Sequence, residues 1–319
     1  MFQRPLVDEL NRWSGHAIEV ARGELRRPAF RMEVANGWRL RMSCKGEPIL
    51  WARTWEDFYG YSYVRAHAEG FAGEIVRPIR ADECRAIGEA APDDRMRLWV
   101  DFFARLLIES PLSPLHEGTW YLGPYYPEAE RRALSFDLPP SPELKPSPFE
   151  LESESEWDIG DYPPPFRLRP EVPKDHGRVK AMRKLVREGV APPILLLWNE
   201  GLARYIVLDG HVRWQAMLDE TTTPDFILLF ATKLFEQGAS RLDGVLQVIE
   251  YKSRDPSPNP RNPLSQAKAN SLINRAQAAI HSRCSTSWAW PIEGGIPAWV
   301  GEVTRVAKRA DVRECLLRA

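Results

Sequence analysis

Tyr205-Ile-Val-Leu-Asp-Gly-His-Val-Arg-Trp-Gln-Ala216 is an apolar, β-branched run that stops at Asp209-Gly210 and passes at once into a helical pattern carrying His211, Arg213 and Gln215. A buried strand that turns directly into a helix leaves backbone N–H groups unpaired at the turn, and the helix dipole makes that end an anion site. Gly210 lets a ligand approach the backbone closely. Arg213 can fork onto a phosphate, and Asp209 and His211 are the polar groups that a reaction needs. The competing reading is a tight strand–helix junction in which Asp209 caps and Arg213 pairs locally.

The flanking sequence sets this turn in the order strand, helix, strand, strand, helix, strand. Phe166 to Arg169 is a short extended piece, and Asp175 to Glu188 is predicted as a helix closed by Gly189, with Val179, Met182, Leu185 and Val186 inward. Ile194 to Trp198 and Arg204 to Leu208 read as strands joined across Asn199-Glu200-Gly201. Val212 to Leu218 is a short helix and Phe226 to Phe230 another buried strand. Lys and Arg crowd the first helix and its approach: Arg167, Arg169, Lys174, Arg178, Lys180, Arg183, Lys184 and Arg187, against only Glu171 and Asp175. Such a patch can line the cleft at the turn and grip phosphates, with Arg178 and Lys180 as candidate contacts. The alternative is a solvated face whose charge is balanced elsewhere.

Gly189-Val-Ala-Pro-Pro-Ile194 followed by Arg204-Tyr-Ile-Val-Leu-Asp-Gly-His-Val-Arg-Trp-Gln-Ala216 resembles the core of the ParB/sulfiredoxin-like superfamily: a helix ending in Gly, a Pro-Ile strand, a hairpin, and an Asp-Gly-His-His-Arg signature followed by Ala. The resemblance covers about Phe166 to Phe230 and neither flank. It implies nucleotide or phosphate binding at the turn, in a superfamily that includes CTP-hydrolysing segregation clamps, free-serine kinases, sulfiredoxins and DNA-cleaving relatives. The second His of the signature is Val212 here, which speaks against a two-histidine mechanism. No Cys stands near the motif, the Gly-Glu-Arg-Arg form of the CTP clamps is absent, and no helix-turn-helix pattern follows. Kinase-like members carry an early acidic residue; by position it is Glu171, with Asp175 nearly as well placed.

Composition bounds the rest. Lys plus Arg (43) balance Asp plus Glu (44) in 319 residues, so no global charge points to nucleic acid or a membrane. No apolar run spans a bilayer, the amino terminus has no signal-peptide core, and Cys44, Cys84, Cys284 and Cys315 lie far apart. A cytoplasmic protein with reduced thiols is the expectation. His16, His67, His116, His176 and His281 are scattered without ligand spacing, and no Walker loop, G-x-G-x-x-G or G-x-S-x-G occurs.

Residues 137–165 hold two proline groups around the acidic run Glu150, Glu152, Glu154, Glu156, Asp158 and Asp161, and read as an extended linker. The alternative has Phe149 and Trp157 docking this strand onto a basic face. Before it, residues 1–136 form an aromatic-rich α+β domain of unknown type. Phe30, Met32 and Val34 alternate up to Asn36-Gly37, and Trp38, Leu40 and Met42 alternate away, predicting a hairpin. A helix is expected from Thr54 through Phe58, Tyr61, Val64 and Ala68, and a stronger one from Asp93 to Glu109. After Phe230 come a strand (Gly244 to Tyr251), a loop (Asp255 to Pro263), a helix (Leu264 to Ile280) and a basic helix from about Glu302. Asp243, Glu250 and Lys252 have the flavour of a PD-(D/E)xK nuclease, but the Asp stands on the same strand as the Glu. Trp288, Trp290 and Trp299 around Glu293-Gly-Gly-Ile-Pro297 are either a partner hot spot or the lid of a small core.

The expected fold class is therefore α+β, with residues 166–319 a ParB/sulfiredoxin-like mixed α/β domain with a helical extension. The expected function is nucleotide binding, ATP or CTP with Mg²⁺, with hydrolysis or phosphotransfer open to it. Asp209, His211 and Glu171 are the candidate catalytic groups, and Gly210, Arg213, Arg178 and Lys180 the phosphate contacts. The rival class is a non-enzymatic interaction factor of immunity, regulatory or adaptor type, with the amino-terminal domain meeting a protein partner. A third class binds or cuts nucleic acid. An Asp209–Arg213 salt bridge with no open cleft favours the rival; a deep basic pocket at the turn favours the nucleotide.

Overall fold

In a computed structural model, residues 1–7, 12–21, 23, 28–36, 38–54, 60–125, 136–137, 139–156, 163–234 and 283–318 are described. The chain is α+β. Strands β1 (Phe2–Val7), β2 (Trp13–Val20), β3 (Phe30–Asn36), β4 (Arg39–Cys44), β5 (Glu47–Thr54) and β6 (Gly60–Arg65) precede helices α1 (Ala81–Gly88) and α2 (Pro92–Glu109). Then come β7 (Gly118–Pro124), β8 (Phe136–Asp137), β9 (Glu152–Glu156), β10 (Phe166–Arg167), α3 (Gly177–Arg187), β11 (Ile194–Asn199), β12 (Arg204–Asp209), α4 (His211–Asp219) and β13 (Phe226–Leu234). The chain closes with β14 (Arg283–Thr286), β15 (Ala289–Pro291), α5 (Gly295–Val306) and α6 (Ala310–Leu317).

Among the described residues two sheets form. One runs β1-β2-β7-β13-β11-β12-β10, with β14 also on β13 and β8 on β14; the other runs β15-β3-β4-β5-β6-β9. In the first, β11 is parallel to β13, and β10 is parallel to β12. Its central strands are continuous apolar runs because both faces are covered. Alternation sorts the side chains: Ile194, Leu196, Tyr205 and Val207 meet Val186 of α3 and Trp214 and Met217 of α4. Leu195, Leu197, Ile206, Ile227 and Leu229 enter the other core, with Met42, Leu50 and Tyr63 of the second sheet and Trp99, Phe103 and Leu107 of α2. The far face of the second sheet, through Trp51 and Val64, is capped by Trp299 and Val303 of α5 and by Val312 and Leu316 of α6.

The β3–β4 hairpin, α2, α3, β11, β12, α4 and β13 stand where periodicity predicts them. The helix expected through Tyr61 and Val64 does not form there: Gly60–Arg65 is strand β6, antiparallel to β5. Tyr61 and Tyr63 go to one face, their rings stacked at 5.8 Å, and Val64 goes to the other. Aromatic and β-branched residues at period two fit a pleated surface better than a helix. The basic terminal helix from Glu302 is two helices, α5 and α6, of which α5 begins earlier, at Gly295. Trp299 is fully buried, its indole N–H donating to Leu40 O at 2.9 Å, so it roofs a core, whereas Trp288 is 62 % exposed.

The division at 137–165 is corrected as well. The first sheet crosses it, since β7 pairs with both β2 and β13. The acidic stretch is built into the fold: β9 adds to β6 as an antiparallel strand. Like charges do not drive Glu152 into solvent because its partners are at hand. Buried Glu152 accepts the backbone N–H groups of Lys308 (2.6 Å) and Arg309 (2.8 Å) at the start of α6. Farther back, Trp214 donates to Leu144 O at 3.0 Å, and Tyr205 Oη to Pro140 O at 2.8 Å. The Phe149 ring lies 4.1 Å from the guanidinium of buried Arg65. Trp157 lies outside the described residues, as do the strand, loop and helix expected over 244–280 and the nuclease-like Asp243, Glu250 and Lys252. No helix among the described residues is long and apolar enough to cross a membrane.

Candidate functional site

Strand β12 ends at Asp209 and α4 starts at His211, with only Gly210 between them, in the left-handed region at φ 104°. A Cβ there would stand 2.9 Å from both Arg213 Nη2 and Ile194 Cδ1, so glycine is required on two counts. No side chain caps the helix. Its first N–H groups, without intrahelical partners, sit at the carboxyl end of β12, beside the chain leaving its parallel neighbour β10. Crevices at the carboxyl ends of parallel strands are where α/β sheets bind ligands.

A cavity of about 650 Å³ opens at this point. Its floor is Leu208, Asp209, Gly210, His211, Val212 and Arg213; Arg169, Pro170, Val172, His176, Arg178 and Met182 form one side, and Glu69, Glu74, Ile75, Val76, Pro78 and Ile79 the other. Two anchors hold the first side against α4. Gln215 grips Val172, its Nε2 donating to the carbonyl at 2.8 Å and its Oε1 accepting the N–H at 3.4 Å. His211 Nε2 accepts the N–H of Leu168 at 3.0 Å, which assigns the imidazole proton to Nδ1. Burial first, then the guanidiniums of Arg169, Arg167, Arg213 and Arg65, push the His211 pKa well below 6.5. The ring is therefore neutral at pH 7 and is a donor at Nδ1 and an acceptor at Nε2.

Arg213 is buried and turned inward: Nη2 donates to Pro193 O at 2.7 Å and to Asp209 Oδ2 at 2.8 Å. It braces the turn from beneath, as the competing reading of the motif has it. The Asp209–Arg213 bridge and an open cavity thus occur together. Arg178, exposed at the cavity wall, makes no side-chain bond among the described residues. Glu171 and Lys180 do not line the cavity. Glu171 is exposed and pairs with buried Arg167 at 3.2 Å. The basic run is largely neutralised: Lys174 pairs with Asp219, Arg183 and Arg187 with Glu220, and Lys184 with Glu188.

Sequence reasoning missed the second side. Arg169 donates to the carbonyls of Phe71 (3.0 Å) and Gly73 (2.6 Å), and Phe71 N–H donates to Leu168 O at 2.8 Å. Those three bonds bring Glu69 and Glu74 to the cavity from a segment with no periodicity to read. Among the described residues no group of three His, Cys, Asp or Glu is placed to hold a metal ion. No protein-family model, curated protein or solved structure matches the chain.

Proposed function

We propose that this cavity binds a nucleotide, ATP or CTP, by its phosphates, and that residues 166–230 form a ParB/sulfiredoxin-like unit whose chemistry is nucleotide hydrolysis or phosphotransfer. The observation that carries the reading is the uncapped amino terminus of α4 opening into the cavity of about 650 Å³. Backbone N–H groups and the helix dipole favour an anion there. The volume lies within the range of small-molecule sites. Gly210 permits close approach, Arg178 is the cation with donors to spend, and neutral His211 presents an N–H without bringing a charge. Arg213 contributes by fixing the turn.

Of the two carboxylates and one imidazole singled out as catalytic, Asp209 and His211 line the cavity and Glu171 does not. Mg²⁺ that arrives on a nucleotide asks only one or two carboxylates of the protein, and Asp209 is the one at the turn. Among the described residues the side chains fit an ion carried by phosphates, not a dedicated protein cage. Asp209 would orient a phosphate-bound ion or an attacking hydroxyl, and His211 would hold a phosphate oxygen.

Thermal unfolding with ATP, CTP and pyrophosphate, each with Mg²⁺, tests the reading. Ligand at about a hundred times Kd stabilises by about 2.7 kcal/mol. The expected result is a rise in Tm with ATP or CTP that needs about tenfold more ligand in Arg178→Ala, the loss of one charge-assisted contact. No shift at millimolar ligand would sink it. The second reading, a non-enzymatic interaction factor, draws on the closed Asp209–Arg213 pair and is what remains in that event.

A further inference from the structure

The phosphate contacts leave one stretch of the cavity lining unexplained. It is the segment 69–79, which carries the exposed Glu69 and Glu74 and then Ile75 and Val76, both buried in the core, with Pro78 and Ile79. Neither carboxylate makes an ion pair or hydrogen bond among the described residues. Carboxylates repel phosphates, so they face some other part of a ligand, and they only accept hydrogen bonds. The segment is held firmly enough to read that part: Arg169 grips two of its carbonyls, and Phe71 N–H bonds Leu168 O. Gly70, at φ +74°, lets the two backbones touch, since a Cβ there would lie 2.5 Å from Leu168 O.

Resting on the nucleotide reading above, we infer that Glu69 and Glu74 accept hydrogen bonds from the ribose 2′ and 3′ hydroxyls. A diol supplies two donors to acceptors that have none, and a carboxylate on ribose hydroxyls is a recurrent solution in nucleotide sites. The amino-terminal half of the chain thus decides which phosphate ester enters the site built by the carboxyl-terminal half.

The experiment is calorimetric titration of the full chain with ATP and CTP and with the 2′,3′-dideoxy form of each, with Mg²⁺. Wild type should bind the natural nucleotide about tenfold or more tighter than its dideoxy form, the loss of two hydrogen bonds to charged acceptors. In the double variant Glu69→Ala/Glu74→Ala that ratio should fall to near one, while Arg178→Ala weakens both forms alike and keeps the ratio. Both glutamates are exposed, so the double variant should fold, and the wild-type ratio stands as a measurement even if it does not. Equal binding of the natural and dideoxy forms to wild type would overturn the inference and leave the phosphate reading intact. Binding of neither ATP nor CTP would overturn both.

Discussion

At Gly210 the backbone holds φ 104°, and Arg213 Nη2 and Ile194 Cδ1 occupy the space a methyl group would need. Gly210→Ala should therefore cost about 1–3 kcal/mol from the left-handed backbone, with more from the displaced guanidinium. Urea unfolding of the variant checks this; a change of a few tenths would show that the turn relaxes freely. His211 makes a second residue-scale prediction. Burial and four arginines hold its folded pKa well below the ordinary 6.5. Between 6.5 and that lower value the unfolded chain takes up a proton that the folded chain refuses. Stability present above 6.5 is thus lost as pH falls, with a slope of up to about 1.4 kcal/mol per pH unit from this one group. Burial lowers His16 and His116 as well, so the wild-type slope is a sum. His211→Gln should subtract one proton from it, read as the difference between the two stability–pH curves from 7 to 5. Superimposable curves would mean that the ring titrates normally.

At the scale of elements, legibility follows from how many rules agree. The β12–α4 junction combines an apolar run, a Gly at the break and a helical pattern, and it stands where these place it. Helix α2 has one wide apolar face and Pro92 in its first turn, a position where Pro lacks nothing. Strand β6 failed because Tyr61 and Val64 satisfy a helical spacing while Tyr61 and Tyr63 satisfy a strand spacing. Only the neighbouring β5 decides between them. Strand β9 was hidden by its charge: Glu152, Glu154 and Glu156 read as self-repelling until the approach to α6 is seen on Glu152 and Cys315 on Glu154. Its energetics are testable. Glu152 satisfies two backbone donors leading into α6, so Glu152→Ala should destabilise by about 1–3 kcal/mol, the cost of buried donors left without a charged acceptor. Amide exchange should quicken first in Ala310–Leu317; protection unchanged there would assign the stability of α6 to Val312 and Leu316 alone. Glu69 and Glu74 were illegible for a different reason. Their place in the cavity depends on Arg169 reaching two carbonyls about a hundred residues away, a contact that no local pattern encodes.

Across the whole molecule, the sequence invites a cut at 137–165 that the sheet does not respect. Residue Leu122 of β7 faces His16 on one side and Leu229 on the other, so the amino-terminal and carboxyl-terminal halves share one hydrogen-bonded ladder. The shared core makes the same point, because Ile227 and Leu229 are fully buried with Leu122, Phe103 and Leu107. Each such side chain contributes about 1.5–3 kcal/mol when fully buried. Separating the halves would strip several of them at once and expose the edge of β13, a strand with apolar residues on both faces. The full chain should therefore unfold in urea as one unit, with tryptophan fluorescence and far-ultraviolet circular dichroism tracing the same transition. A fragment of residues 166–319 should show no cooperative transition of its own and should aggregate. Two separated transitions in the full chain, or a fragment that melts sharply, would instead make the carboxyl-terminal half self-sufficient. The cavity side bearing Glu69 and Glu74 would then be a removable attachment. If the transitions coincide, no fragment that lacks residues 69–79 can report the affinity of the site, and ligand measurements belong on the intact chain.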